Sequence, residues 1–182
     1  TIMAVCVAEY LGKRTDVDLD IIPVSKKYDV MCPFMDRTCD KVSKSLAPVC
    51  SVRKNDGTIW ITCEHRLCSS RTSDKNKNKI GLVKHQQELL LSIAKFIYDD
   101  ADLTQSDVGI KREVTIPLPE AEHNYHADYV MRNFSKNNKI DEILLEMQGG
   151  GETSSTGKIS KHIEAWAGMN QPENQFLREY VG

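Results

Sequence analysis

Apolar and polar positions along this chain alternate in more than one rhythm, and each rhythm predicts a different element. In residues 83 to 100, VKHQQELLLSIAKFIYDD, the side chains Leu89, Ile93, Phe96 and Ile97 recur at helical spacing and predict an amphipathic helix. Residues 1 to 12, TIMAVCVAEYLG, show a mostly apolar helical pattern closed by Gly12, a natural helix stop. APVCSVR and TIWITC flank KNDG, so two β-rich runs around an Asn-Asp-Gly turn predict a hairpin. Strand candidates follow at 108 to 117 (VGIKREVTIP), 126 to 134 (HADYVMRNF) and 139 to 148 (KIDEILLEMQ). KISKHIEAWAG reads as a helix ending at Gly168, and PENQFLREY as another with Pro172 in its first turn. Residues 16 to 31 read as irregular or a short helix. The Ser-, Asn- and Lys-rich residues 69 to 79 and the stretch GGGETSSTG read as loops.

Helices on either side of consecutive strands make an α/β sandwich. The expected division is an N-terminal helix and cysteine lobe over 1–80 and an α/β core over 81–182. The sheet of that core looks incomplete as given.

At 40% hydrophobic and 27% charged residues, the composition is that of an ordinary globular protein, and the 182 residues suffice for one domain or two small lobes. No apolar run is long enough to span a membrane and no signal-peptide pattern opens the chain, so the expected location is cytoplasmic, with no membrane partner. A net charge of -2 does not advertise a nucleic-acid binder, so local clusters matter more. RTSDKNKNKIGLVK (71 to 84) and KISKH (158 to 162) are basic enough to meet phosphates, Lys158 and Lys161 among them, although either is equally a solvated surface.

Side chains alternate across a strand, so Glu146 and Gln148 share one face while Leu145 and Met147 take the other. A hairpin-like arrangement with the preceding strand brings Asp128 beside Glu146. Two hard oxygen ligands from neighbouring strands suit Mg²⁺, which can lower the pKa of a bound water and stabilise charge on a phosphodiester. Gln148 stands where such sites often hold a lysine. It can orient a water or coordinate through its carbonyl, and it cannot take a proton or carry charge.

The six cysteines change the picture further, because disulfides are disfavoured in a reducing compartment and clustered thiols there tend to bind metal. Cys32, Cys39, Cys50 and Cys63 are spaced C-x6-C-x10-C-x12-C. A hairpin carrying Cys50 and Cys63, facing a loop with Cys32 and Cys39, can close a tetrahedral thiolate site for Zn²⁺ or iron. Such a site is structural, since four thiolates leave no open position. The alternative is four buried thiols acting as small apolar groups. Cys68 is a competing ligand, and Cys6 belongs with the apolar face of the first helix.

Together these segments resemble the restriction endonucleases of the NotI and EagI type. Cys32-Pro33-Phe34 followed by Cys39, Cys50 and Cys63 resembles their four-cysteine motif, and CEHR at 63 to 66 their fourth-ligand segment, with Glu64 and His65 where the family has Pro-Asn. Glu113 in KREV, Asp128 in HADYV and LLEMQ at 144 to 148 follow the family's order of a Glu, an Asp and a Glu-x-Gln. AEYLGKR at 8 to 14 resembles the short helix near their N-terminus. The resemblance implies a PD-(D/E)xK restriction-endonuclease-like core, a central mixed sheet flanked by helices, with a small four-cysteine metal lobe. It implies Asp128, Glu146 and Gln148 as metal and catalytic residues, Glu113 as a further acidic member, and Mg²⁺-dependent hydrolysis of double-stranded DNA by a homodimer or larger assembly. Those enzymes continue well past the residues matched here, so the expectation is a fragment of a longer nuclease or a nuclease module of another defence assembly.

Two rivals remain. GGGETSSTGKIS lies between strand and helix like a phosphate loop, but five residues separate Gly151 from Gly157 and Ile159 replaces the hydroxyl residue of G-x4-G-K-[ST]. The non-enzyme rival is a metal-stapled binding module for nucleic acid or protein. Of the histidines, His123 and His126 read as a loop-facing, solvent-exposed pair, and His162 with Trp166, one helical turn apart, as packing.

Overall fold

A computed structural model describes residues 4–24, 30–43, 47–67, 82–118, 123–135, 142–148 and 154–182. The chain divides into two compact units, Thr1–Leu67 with Gly149–Gly182, and Cys68–Gln148. Both are mixed α/β, and each holds its own antiparallel sheet. Among the described strands every pairing is antiparallel, so the expected central mixed sheet is not what these residues form. No helix among them is long and apolar enough to cross a membrane.

The first unit is built on a sheet of strand order β2-β1-β3-β4, with β1 Val5–Tyr10, β2 Lys13–Arg14, β3 Val49–Lys54 and β4 Ile59–Ile61. The helix expected over residues 1 to 12 is therefore replaced by a strand. Val5 and Val7 pack into the core on one face while Cys6 and Ala8 are also buried, so the strand reads as a continuous apolar run that periodicity cannot distinguish from a helix. Gly12 does not stop a helix. Leu11 (φ 48°) and Gly12 (φ 76°) are the two central residues of a hairpin turn closed by the pair Tyr10–Lys13, the left-handed pair that such turns require. The hairpin expected around KNDG is present as β3 and β4, paired Ser51–Ile61 and Val52–Trp60, with Gly57 at φ 88°.

Two helices from the far end of the chain, α3 (Ser154–Ala167) and α4 (Asn174–Leu177), complete this unit. Ile159, Ile163, Trp166 and Leu177 form one apolar core with Val5, Val7, Tyr10, Val49 and Val52. Trp166 meets Tyr10 edge-on, ring centroids 5.2 Å apart at 79°, and Val181 pairs with Val5. His162 stacks on Phe176 at 4.2 Å and its Nε2 lies 2.7 Å from the Phe176 carbonyl, so the packing reading of His162 and Trp166 holds. The grouping thus differs from a division at residue 80: the C-terminal helices cover the N-terminal sheet. Pro172 precedes the short α4 instead of opening its first turn. A four-residue helix, α1 (Asp40–Ser43), and a 3₁₀ turn, Glu64–Leu67, flank the cysteine segments.

In the second unit α2 (Lys84–Ile97) accompanies a sheet of order β5-β6-β7, with β5 Val108–Ile116, β6 Tyr125–Asn133 and β7 Glu142–Leu145. Leu90 and Ala94 of α2 join Leu103, Val108, Tyr129 and Met131 in its core. The helix expected over 83 to 100 is there, but its buried stripe runs Gln86, Leu90, Ala94; Leu89 and Ile93 flank it, while Phe96 is 87% exposed. Most of the basic segment 71 to 84 and most of the glycine-rich loop lie outside the described residues.

Candidate metal and catalytic site

The carboxylates singled out by sequence fall on one row of the second sheet. β6 and β7 pair in the register Tyr129–Leu145 and Val130–Leu144, so continuing by one residue sets Glu146 opposite Asp128. On the other side, the pairs Arg112–Tyr129 and Val114–Ala127 set Glu113 opposite Asp128. β7 ends at Leu145, but its alternation persists: Glu146 and Gln148 are exposed, while Leu145 and Met147 are half-buried against the core. Glu113, Asp128 and Glu146 thus occupy neighbouring positions on three adjacent strands, with Gln148 in the next row.

Local bonding fixes two members of this row. Asp128 Oδ2 accepts the backbone N–H of Met147 at 2.8 Å, between Glu146 and Gln148. Tyr125 donates its hydroxyl to Glu146 Oε1 at 2.9 Å, and that bond holds the phenol above the usual tyrosine range. Glu113 sits at φ +47°, inside a strand where other residues are extended; non-glycine residues in that region store strain, and such strain gathers at functional sites. His126 lies in β6, within the strand expected over 126 to 134, exposed, with Nδ1 3.2 Å from Thr115 Oγ1 in the row of Gln148. Counting back by two from Asp128 reaches His126 from sequence alone. Tyr125 left no comparable trace, because its reach to Glu146 depends on where the strand begins.

The four cysteines are buried and unoxidised, each between 6% and 8% exposed. Cys32 sits in a tight loop closed by its N–H to the Arg37 carbonyl at 2.6 Å and by the bridge Met31–Thr38, and Cys39 follows it into α1, its own N–H on the Val30 carbonyl at 2.7 Å. Cys50 is in β3, and the Cys63 N–H donates to the Cys50 carbonyl at 3.2 Å. Hairpin and loop therefore carry two thiols each, the arrangement the spacing suggested. Burial, then the neighbouring Cys63, Glu9 and Cys39, push the Cys50 thiol up to about 12, against a lowering contact from the Gly12 N–H at 3.3 Å. Burial also raises Cys32, with Cys39 and Cys63 adding to it, so these thiols feel one another's charge. His65, buried beside Cys63, has Nε2 3.0 Å from Asp40 Oδ2 and 3.1 Å from Arg37, which joins α1 to the 3₁₀ turn. Cys6 lies buried in β1, and Cys68 lies outside the described residues.

No protein-family model and no curated protein matches the chain. Among the described residues no three His, Cys, Asp or Glu side chains converge in a geometry that would hold a metal ion. By donor type alone, thiols suit a soft ion and carboxylates a hard one. Of the phosphate-loop rival, Gly157 and Lys158 lie in α3, and residues 149–153 lie outside the described residues.

Proposed function

We propose that the chain carries a metal-dependent DNA endonuclease centre of the PD-(D/E)xK type, with a structural four-cysteine site in its other unit. The observation that supports this most is the alignment of Glu113, Asp128 and Glu146 across β5, β6 and the end of β7. Carboxylates on neighbouring strands of an exposed sheet face suit a hydrated Mg²⁺, which keeps waters and takes phosphate oxygens. Such a metal, when bound, polarises the phosphodiester and lowers the pKa of the attacking water. Asp128 and Glu146 are its ligands in this reading. Met147 N–H orients the Asp128 carboxylate, and Tyr125 orients that of Glu146. Glu113 adds negative charge on the β5 side. Gln148 cannot accept a proton, so it positions the water through its amide. Cys32, Cys39, Cys50 and Cys63 hold Zn²⁺ or iron as a staple between loop and hairpin.

Supercoiled plasmid incubated with the protein and Mg²⁺ or Mn²⁺, beside the Glu146→Ala and Asp128→Ala variants, tests the reading. The wild type nicks or linearises DNA and both variants do not. Absence of cutting by the wild type in every metal, as monomer or assembly, would sink it and leave the cysteine unit as a binding module.

A further inference from the structure

The loop that carries Cys32 and Cys39 is tied to the segment that carries Cys50 and Cys63 by side chains standing next to the cysteines. Asp40 follows Cys39 directly, and its Oδ2 lies 3.0 Å from Nε2 of His65, two residues past Cys63. Arg37 donates to the same oxygen at 3.1 Å, and the Arg37 carbonyl accepts the Cys32 N–H at 2.6 Å. One carboxylate oxygen therefore gathers residues bonded to, or close in sequence to, three of the four cysteines. Lys41, two residues past Cys39, reaches across in the same direction. Its Nζ donates to the Val49 carbonyl at 2.9 Å and to that of Thr62 at 3.4 Å. Val49 precedes Cys50, and Thr62 precedes Cys63. Arg66 adds a further tie: its Nε bonds Glu9 at 3.2 Å, and its guanidinium lies 5.3 Å from the ring of Phe34, two residues past Cys32.

Lysines usually keep the ammonium in water. Lys41 is half-buried and directs its charge onto peptide carbonyls, and a charged donor makes a stronger bond than a neutral one. His65 is buried, so its bond to Asp40 competes less with water than a surface pair does. None of these bonds uses a sulfur, and none needs a metal. We propose that Asp40 and Lys41 are the positioning residues of the cysteine site, clamping α1 and its loop onto the hairpin so that the thiol cluster is closed before any metal arrives. A metal then meets segments already in register, and its release requires the clamp to open. The metal rests on the staple reading of the four cysteines. The clamp does not.

The experiment is labelling of the full chain with N-ethylmaleimide in EDTA, at a temperature where circular dichroism shows it folded. Peptide mass spectrometry follows each cysteine, and each rate is compared with that of the same cysteine in the parent. Cys6, buried in β1 outside the clamped segments, reports opening of the whole unit. In the parent, Cys32 and Cys39 should label as slowly as Cys6. Lys41→Met with Asp40→Ala should label Cys32 and Cys39 roughly tenfold faster or more, as the loss of bonds to charged groups implies, and leave Cys6 unchanged. Lys41→Met alone should give a smaller rise of the same pattern, and Lys41→Arg with Asp40→Asn should restore most of the protection. Zn²⁺-loaded double variant should also release its metal to a chromogenic chelator faster than the parent, with the same rescue. Parent cysteines that label at once in EDTA overturn the proposal, because the metal alone then closes the site. So does acceleration of Cys6 in step with Cys32 and Cys39, which is general loss of stability. A parent with the expected labelling pattern that never takes up Zn²⁺ or iron overturns the staple reading alone. Bound metal, with labelling and release both unmoved by the variants, overturns this proposal alone.

Discussion

The carboxylate of Asp128 accepts the backbone N–H of Met147 at 2.8 Å, and so ties β6 to the residue lying between Glu146 and Gln148. One side chain serves both the strand register and the proposed metal. The two roles separate by substitution. Asp128→Asn keeps an oxygen for the Met147 N–H, so unfolding free energy should stay within about 0.5 kcal/mol, whereas Asp128→Ala strands that N–H and should cost about 1–2 kcal/mol. Both should lower DNA cleavage by about a hundredfold or more, since neither leaves a charged ligand. Denaturant melts beside plasmid nicking rates check this; an Asn variant that cuts like wild type removes Asp128 from the metal site.

Tyr125 makes a second, weaker claim on the same row. Its hydroxyl donates to Glu146, which favours the neutral phenol and holds it above the ordinary value of about 10. The sign follows: any stabilisation from this bond is fully present below the ordinary tyrosine pKa and is lost only as pH rises through the higher folded value. Tyr10 and Tyr180 are raised as well, chiefly by burial, so a spectroscopic pH titration is read as a difference: Tyr125→Phe should remove one late-ionising component, and Glu146→Ala should return that component toward the ordinary range. Tyr125→Phe should leave the denaturation midpoint close to that of the wild type, as befits an exposed residue.

The row was legible in sequence because period-two alternation survives past the end of β7, and because three strands meeting in order leave few ways to pair. The KNDG hairpin was legible from its turn chemistry. β1 was not, since a strand buried on both faces loses its alternation and VCVAEY then passes for a helix. Nor was the return of α3 to β1: contact between Trp166 and Tyr10 spans most of the chain, and no local pattern encodes it. The bulge in β1 between Val7 and Glu9 depends likewise on a partner strand some forty residues away.

Gly12 couples the hairpin turn to the cysteine loop. Its φ of +76° is one that side chains rarely adopt, and a Cβ there would stand 2.6 Å from Pro33 Cγ, next to Cys32. Its N–H also reaches Cys50 Sγ at 3.3 Å. Gly12→Ala should therefore cost about 1–3 kcal/mol and loosen the loop that carries Cys32. A denaturation curve gives the first effect. Faster release of the bound metal to a chelator gives the second, and parent-like behaviour in both would show that the turn and the cysteine loop are independent.

The thiol cluster makes the strongest demand on chemistry. With Cys50 pushed up to about 12, chiefly by burial, its thiol keeps its proton at neutral pH when no metal is bound. That raised pKa contributes stability in full below the ordinary thiol range, and the contribution is lost as pH climbs through about 12. Metal binding requires thiolates, so loading Zn²⁺ or iron must expel protons from Cys32, Cys39, Cys50 and Cys63, and affinity must rise with pH. Purified protein should hold about one metal per chain by elemental analysis. A chelator should lower Tm sharply, and readdition of Zn²⁺ should release protons to an indicator dye, those of the raised Cys50 and Cys32 among them. Cys50→Ser should retain little metal, with the same drop in Tm as chelation. Should the protein as purified hold no metal, and Zn²⁺ shift neither Tm nor the proton count, the four cysteines are a buried apolar cluster and the staple does not exist.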